Sequence, residues 1–299
     1  MEIHQLNIFI HVARIKNFTQ VGRILGYSQS NISAQIQQLE KEIGAPLFNR
    51  IGRKVSLTQY GEELLPYAQE IVSTAIRMEN FLKSDEAMGG TVKVGIVESL
   101  FELVTEKTIT NYHSRFPNVR IELTVDGTAN LKEMLQQGTL DLACLIDDAP
   151  SKAEWNCWHV IDVPIVIIAN SNYNISKKDN ITLRDLKDEE FILMEQSARY
   201  TIYFKNKMTE TDIKFHSVLK LQSASMACRL VENGHYLSVL PLYSVVKSAE
   251  QGKVRILNVE DFSHTQYVQT ILHPNKVIIP QIEGFLEELY VVLEDVVSV

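Results

Sequence analysis

Apolar residues at Leu6, Phe9, Ile10 and Ala13 fall at helical spacing and predict a first helix over about residues 3–15. Asn17 then stands as a cap with Gln20 three positions on, and Leu25-Gly26 ends a short second helix. Ser28 opens a third helix almost at once, with Ile32, Ile36, Leu39 and Ile43 as its inward stripe. Further along, Leu64, Ala68, Ile71, Ala75, Met78 and Leu82 alternate steps of four and three. That is the a/d seam of a long helix, which Thr58 can cap, Glu62 and Glu63 favour near its positive end, and Pro66 should bend. The seam suits a two-helix coiled coil, although the same stripe would serve to pack the helix on its own chain. Gly89-Gly90 closes the segment and is the expected hinge.

After residue 90 the period changes. Thr91–Val97 predicts a strand, residues 99–115 a helix, and the strict alternation of Val119, Ile121, Leu123 and Val125 one side of a second strand. A helix over about 128–137 and a continuous apolar strand, Leu140–Ile146, follow. The order βαβαβ implies a parallel sheet with helical crossovers. Near Asp162-Val163-Pro164 the chain is expected to enter a second lobe, with strands at Ile165–Ala169, Phe191–Met194, Val218–Leu221 and Leu237–Leu240. Tyr267–Leu272 should return to the first lobe, before a last amphipathic helix carrying Ile282, Phe285, Leu286 and Leu289.

Charge sharpens this division. The net charge of −8 argues against DNA binding until it is counted by segment. Residues 1–60 hold seven basic and three acidic groups, a net +4, which leaves −12 for the remainder. A small cationic module on an acidic body suits contact with phosphate. The third helix adds chemistry, because Gln29, Ser30, Asn31, Ser33, Gln35, Gln37 and Gln38 cover its outer faces and its first three turns carry no charge. Amides and hydroxyls are the groups that hydrogen-bond to base edges in a major groove. A solvated Gln-rich helix in an unrelated bundle explains the composition equally well by itself. What tips the balance is the stretch Leu47–Thr58, where Arg50, Arg53 and Lys54 crowd around Gly52 like the tip of a wing that reaches phosphates or the minor groove.

These residues carry a specific resemblance. Asn17-Phe18-Thr19-Gln20-Val21-Gly22, Leu25, Ser28 to Ile36, Leu39-Glu40, Ile43-Gly44, Leu47-Phe48, Arg50, Leu57-Thr58 and Gly61 resemble the signature of LysR-type transcriptional regulators without a gap. Gly22 departs from it, since two alanines are usual at Val21-Gly22; a glycine there should weaken the second helix without touching the DNA face. Ser30 stands where proline is common. The resemblance implies an α/β protein with an N-terminal winged helix-turn-helix (1–58), a linker helix that dimerises (59–88) and a two-lobed effector domain (89–299) resembling the periplasmic-binding-protein fold. Its first lobe should take about 91–162 and 266–299, and its second about 163–265. Promoter DNA, a small-molecule effector, and further copies of the chain as a dimer or dimer of dimers are the implied partners, and RNA polymerase is allowed as another. Neither a cofactor nor a metal is called for.

Ligands of such sheets bind beyond the carboxyl ends of strands. Ser99 and Thr128 occupy such positions, and Ser197 does so in the second lobe; the resemblance places effector contacts there, with Leu100 and Gln196 beside them. Helix starts favour an anion, so a small organic acid is the expected ligand, although serine and threonine more often only cap their helices. Glu98 would repel such a ligand unless it points away or pairs with Arg199. Tyr236, in Asn233-Gly234-His235-Tyr236, is bulkier than the family pattern and should affect packing near the cleft.

Other classes find less support. The eight histidines show no ligand spacing, and no nucleotide loop or nucleophile elbow is present, so an enzyme is not expected. Cys144, Cys157 and Cys228 lack a Cys-x-x-Cys spacing, which fits reduced thiols. Some relatives in the family sense oxidants, which keeps thiol-based sensing by Cys144 and Cys157 as the alternative. The body alone would also suit a solute-binding protein. No apolar run is long enough for a membrane span and the N-terminus lacks a secretory pattern, so the expected compartment is the cytoplasm, without membrane contact.

Overall fold

A computed structural model describes the chain except for residues 52–53, 81–84, 152, 179, 195–197 and 298–299. The N-terminal head is built from α1 (Ile3–Ile15), α2 (Phe18–Leu25) and α3 (Gln29–Ile43), followed by the antiparallel pair β1 (Phe48–Ile51) and β2 (Lys54–Leu57). Its local signals act as the sequence implies: Asn17 accepts a hydrogen bond from the Gln20 amide and Ser28 from the Asn31 amide. Ile32, Ile36 and Leu39 are buried with Leu6, Phe9 and Val21, whereas Ile43, at the end of α3, lies beyond the packed stretch and is exposed. Glu40 ties α3 to the hairpin by accepting from the Leu47 and Phe48 amides at 2.8 and 3.2 Å. Gly22 has a packing role that propensity does not reveal. A Cβ there would stand 2.7 Å from the Tyr27 carbonyl oxygen, so α2 approaches the turn into α3 more closely than alanine permits.

Thr58 accepts from the Gly61 amide and caps α4 (Gln59–Asn80), with Pro66 inside it. The apolar stripe of α4 divides between two faces. Ala68 and Val72 are buried in the head, while Tyr67, Ile71 and Met78 stand exposed, Met78 at 74%. Leu82 lies outside the described residues. The other side of α4 meets the chain's own body, where Gln69 donates to the Pro274 carbonyl and Ser73 to that of Ile278.

In the body, β3 (Gly89–Ile96), α5 (Glu98–Arg115), β4 (Asn118–Val125), α6 (Thr128–Gln136) and β5 (Leu142–Asp147) form the expected βαβαβ unit, with β3 parallel to both neighbours. β6 (Asn156–Asn170) leads into β7 (Glu190–Met194), α7 (Arg199–Glu210), β8 (His216–Leu221), α8 (Ala224–Asn233), β9 (Leu237–Pro241), α9 (Val246–Glu250) and β10 (Val254–Leu257). β11 (Thr265–Leu272) and α10 (Pro280–Val297) complete the chain. The strands run in the order β4-β3-β5-β11-β6-β9-β7-β8, with β10 paired to β6, and the sheet is mixed because β6 and β11 are antiparallel to their neighbours.

Three expectations change. Gly89 and Gly90 are not a free hinge, because they pair with Asn118 and Val119 as the first residues of β3. On β4, Leu123 and Val125 are exposed, since β4 is an edge strand and only Val119 of the alternating set is buried. The strand expected at Ile165–Ala169 is much longer: Asn156–Pro164 of β6 pairs with β11, and Ile165–Asn170 pairs with β9 and β10. None of the described helices is long and apolar enough to cross a membrane.

The head also rests on the body. Arg14 of α1 is 8% exposed and packs on the turn after α6, where Gly138 has φ +72° and a Cβ would meet its guanidinium at 2.7 Å. A half-buried ion pair, Lys276 with Asp141, stands beside it. Burial pushes the His11 and His273 imidazoles down to about 4, with nearby cations adding to the shift.

Candidate functional site: a DNA-reading face and an interlobe cleft

Capping by Ser28 and the buried stripe of α3 turn Gln29, Ser30 and Asn31 to solvent, with Ser33 and Gln35 half-buried beside them. Their hydrogen bonds are local. Gln29 Nε2 donates to Ser33 Oγ at 2.8 Å, and the Ser28 and Ser30 hydroxyls lie 2.9 Å apart. Such a face is free to exchange its hydrogen-bond partners without disturbing a core. Arg53 lies outside the described residues, as do the side chains of Arg50 and Lys54; the backbone of Arg50 and Lys54 forms the hairpin.

The cleft lies where the strand ends converge. A cavity of about 470 Å³ is bounded by Glu98 and Ser99 after β3, Val125 to Asn130 after β4, Ile146 on β5, and Met194, Ala198, Tyr200 and Gln222 from the second lobe. The described lining includes the carboxylates of Glu98 and Asp126 and no lysine, arginine or histidine. Asp126 is held locally by the Gly127 amide and the Asn130 side chain at 2.7 and 2.9 Å.

Ser99 and Thr128 are both present on this wall, but neither hydroxyl is idle and neither caps its own helix. Thr128 Oγ1 donates to the Ile146 carbonyl at 3.0 Å, strapping α6 to β5. Ser99 Oγ and Tyr243 Oη are 2.8 Å apart across the lobes. Burial pushes the Tyr243 phenol well up, and its bond to Ser99 only partly opposes that. Leu100 is fully buried in the core and does not line the cavity, because residue 100 turns to the inner face of α5. Gln196 and Ser197 lie outside the described residues. Tyr236 packs over Gly234 and against the core rather than into the cleft.

Glu98 does not pair with Arg199. Its Oε2 accepts from the Ala224 amide at 3.0 Å, at the start of α8 in the other lobe. Arg199 instead lies 3.3 Å from Asp147, whose side chain is 8% exposed and also takes the Lys132 ammonium at 2.5 Å. Tyr243 and Asp147 were not singled out by the sequence. Asp147 ends β5 and Tyr243 follows β9, but nothing local ties Tyr243 to Ser99 or Asp147 to Arg199.

The thiols are poorly arranged for a disulfide. Cys144 and Cys157 face Thr270 and Ile271 on opposite flanks of β11. Two strand spacings separate them, about 10 Å, beyond the roughly 7 Å that a disulfide spans between Cα atoms. Burial pushes the Cys144 thiol up to about 12.

Comparison with known proteins agrees with this layout. Residues 3–62 match the family described as bacterial regulatory helix-turn-helix protein, lysR family, and residues 85–292 match the LysR substrate binding domain. An uncharacterized HTH-type transcriptional regulator of Bacillus subtilis, YwqM, is 27% identical, over 96% of this chain and 98% of its own. The HTH-type transcriptional activator CmpR of Synechocystis is 25% identical, over 96% of this chain and 94% of its own. Among solved structures, full-length OxyR of Pseudomonas aeruginosa superposes with a TM-score of 0.56 at 20% identity, covering 97% of this chain and 94% of that one. The regulatory domain of CcmR from Synechocystis, in complex with 2-PG, gives 0.59 at 20% identity over 68% of this chain and 97% of its own. With both of its parts matched in order, and over more than half its length, the chain belongs to the LysR family of DNA-binding transcriptional regulators.

Proposed function

We propose that a small organic acid held between the lobes controls how this regulator presents its heads to promoter DNA. One observation carries the ligand half: residues of the first turns of α5, α6 and α7, drawn from both lobes, line a single cavity. Unpaired amides at helix starts, with the helix dipoles behind them, bind an anion without a buried cation. Likeness to the CcmR regulatory domain solved with 2-PG supports a ligand in this part of the fold. Ser99 and Thr128 contact it, with Gln196 and Ser197 from the second lobe.

In the DNA half, Gln29, Ser30, Asn31, Ser33 and Gln35 contact base edges while Arg50, Arg53 and Lys54 neutralise phosphates. Two copies pair along α4, and the exposure of Ile71 and Met78 supports that seam, together with Leu64, Ala75 and Leu82. Burial of Ala68 in its own head moves the contact toward Tyr67. The working division is 1–58 for the head, 59–88 for the linker and 89–299 for the effector domain, acting in the cytoplasm where promoter DNA is.

The test is gel retardation and footprinting of fragments from the chain's own locus, with and without 2-PG and a panel of small carboxylic acids. A footprint that changes length or cleavage pattern with one acid is the expected result. If no fragment is retarded the DNA reading fails, and if the footprint ignores every acid the ligand class is wrong.

A further inference from the structure

We infer that Glu98 is the chain's own occupant of an anion position in the cleft: it latches the two lobes together without ligand, and an acidic effector takes that position only by displacing it. The inference deepens the effector reading and rests on it for its second half alone.

Glu98 is the first residue of α5 in one lobe, and Ala224 the first residue of α8 in the other. Within its own lobe, α8 leaves the Ala224 amide unserved, because its cap, Ser223, accepts from Met226 instead. The Glu98 carboxylate supplies the missing acceptor from 126 positions away. It therefore lies at the positive ends of two helices, its own and α8, where a negative charge is stabilised and the bond is charge-assisted. Among the described residues no lysine or arginine forms an ion pair with it, and Arg199 is turned to Asp147. Two further contacts cross the same gap, Ser99 with Tyr243 and Asp147 with Arg199. Lobe closure in this fold is thus obtained by the chain's own groups, and the carboxylate does at α8 what a bound acid would do. While it is there, a second anion at that amide meets like charge from Glu98.

The test uses the full chain with Glu98→Ala and Glu98→Gln, each first checked for cooperative melting. Without ligand, amide hydrogen exchange over residues 222–230 should accelerate at least tenfold in Glu98→Ala, with β5 unchanged. Glu98→Gln keeps an acceptor oxygen without the charge and should show a smaller acceleration. Unchanged exchange in Glu98→Ala overturns the latch, and Glu98→Gln decides the matter by the same measure if the alanine variant does not fold. Sodium acetate and inorganic phosphate are then titrated while exchange at Ala224 is followed. Glu98→Ala should regain protection at an anion concentration at least tenfold below that needed to affect the wild type. Equal concentration dependence in the two proteins overturns the displacement. Faster exchange in Glu98→Ala with no response to any anion in either protein upholds the latch and rejects the acidic-effector reading.

Discussion

On α3, Gln29 and Ser33 bond to one another and Ser28 to Ser30, all within one turn of helix. In the cleft, Ser99 reaches Tyr243 and Glu98 reaches Ala224, partners more than a hundred residues away. Both surfaces carry polar side chains, yet one bonds them within its own helix and the other engages them across the fold. A DNA-reading face must trade its contacts with little rearrangement. A sensor does the opposite: its ligand must prefer one arrangement of the lobes, and contacts that already bridge them are what a ligand can replace.

Substitutions can break this contrast. Asp147→Ala should have the largest effect on folding, leaving Lys132 without its partner and Arg199 unanchored. Breaking a buried pair costs about 3–5 kcal/mol, and the partial exposure of Lys132 lowers the expected loss to roughly 2–3 kcal/mol, to be read from urea unfolding. On the reading face, Gln29→Ala should cost about 1–3 kcal/mol of binding at one operator position while shifting unfolding free energy by no more than about 0.5 kcal/mol. A matched loss of stability would show that the α3 face is not held in reserve. Thr128→Val leaves the Ile146 carbonyl without its donor, so a destabilisation of about 1 kcal/mol should accompany loss of the ligand response, with operator affinity retained. A normal ligand response would reduce Thr128 to a strap. The smallest effect is expected of Arg53→Ala, which should lower affinity for all DNA sequences alike and flatten the slope of log affinity against log salt by about 0.9.

Acid should separate the head's seat from both surfaces. His11 and His273 have folded-state values of about 4 against 6.5 unfolded, so the unfolded chain binds more protons between those limits. Their contribution is complete above pH 6.5 and is lost as pH falls towards 4. Unfolding free energy measured from pH 7 to 4 should fall, and less steeply in a His11→Gln, His273→Gln double variant.

The sequence was most legible where structure is local. Caps at Asn17 and Ser28, the stripe of α3 and the βαβαβ alternation all follow from neighbours within a few positions. β6 was read only over Ile165–Ala169, because Pro164 and the polar residues of Asn156–Asp162 interrupt the apolar pattern although the strand is continuous. β10 escaped notice since Val254 and Leu257 are its only buried residues. That Ser99 and Thr128 line one cavity follows from their places after strand ends, but the bonding of that wall does not, because partners such as Asp147 and Arg199 meet only through the tertiary fold. Gly22, read as a departure that weakens α2, is required by the nearby Tyr27 carbonyl, which no helix scale contains.

α6 starts at the wall of the cleft and ends two residues short of Gly138, where Arg14 of the head is seated. Nine helical residues measure about 13 Å, so sensor and reader are divided by two and a half turns of one rigid rod. The linker helix is a second attachment rather than the sole one, and a head fixed at two points cannot swing; it can only tilt about the line joining them. A helix this short resists compression, so a shift of its first turn along the axis would be passed to the turn on which Arg14 rests.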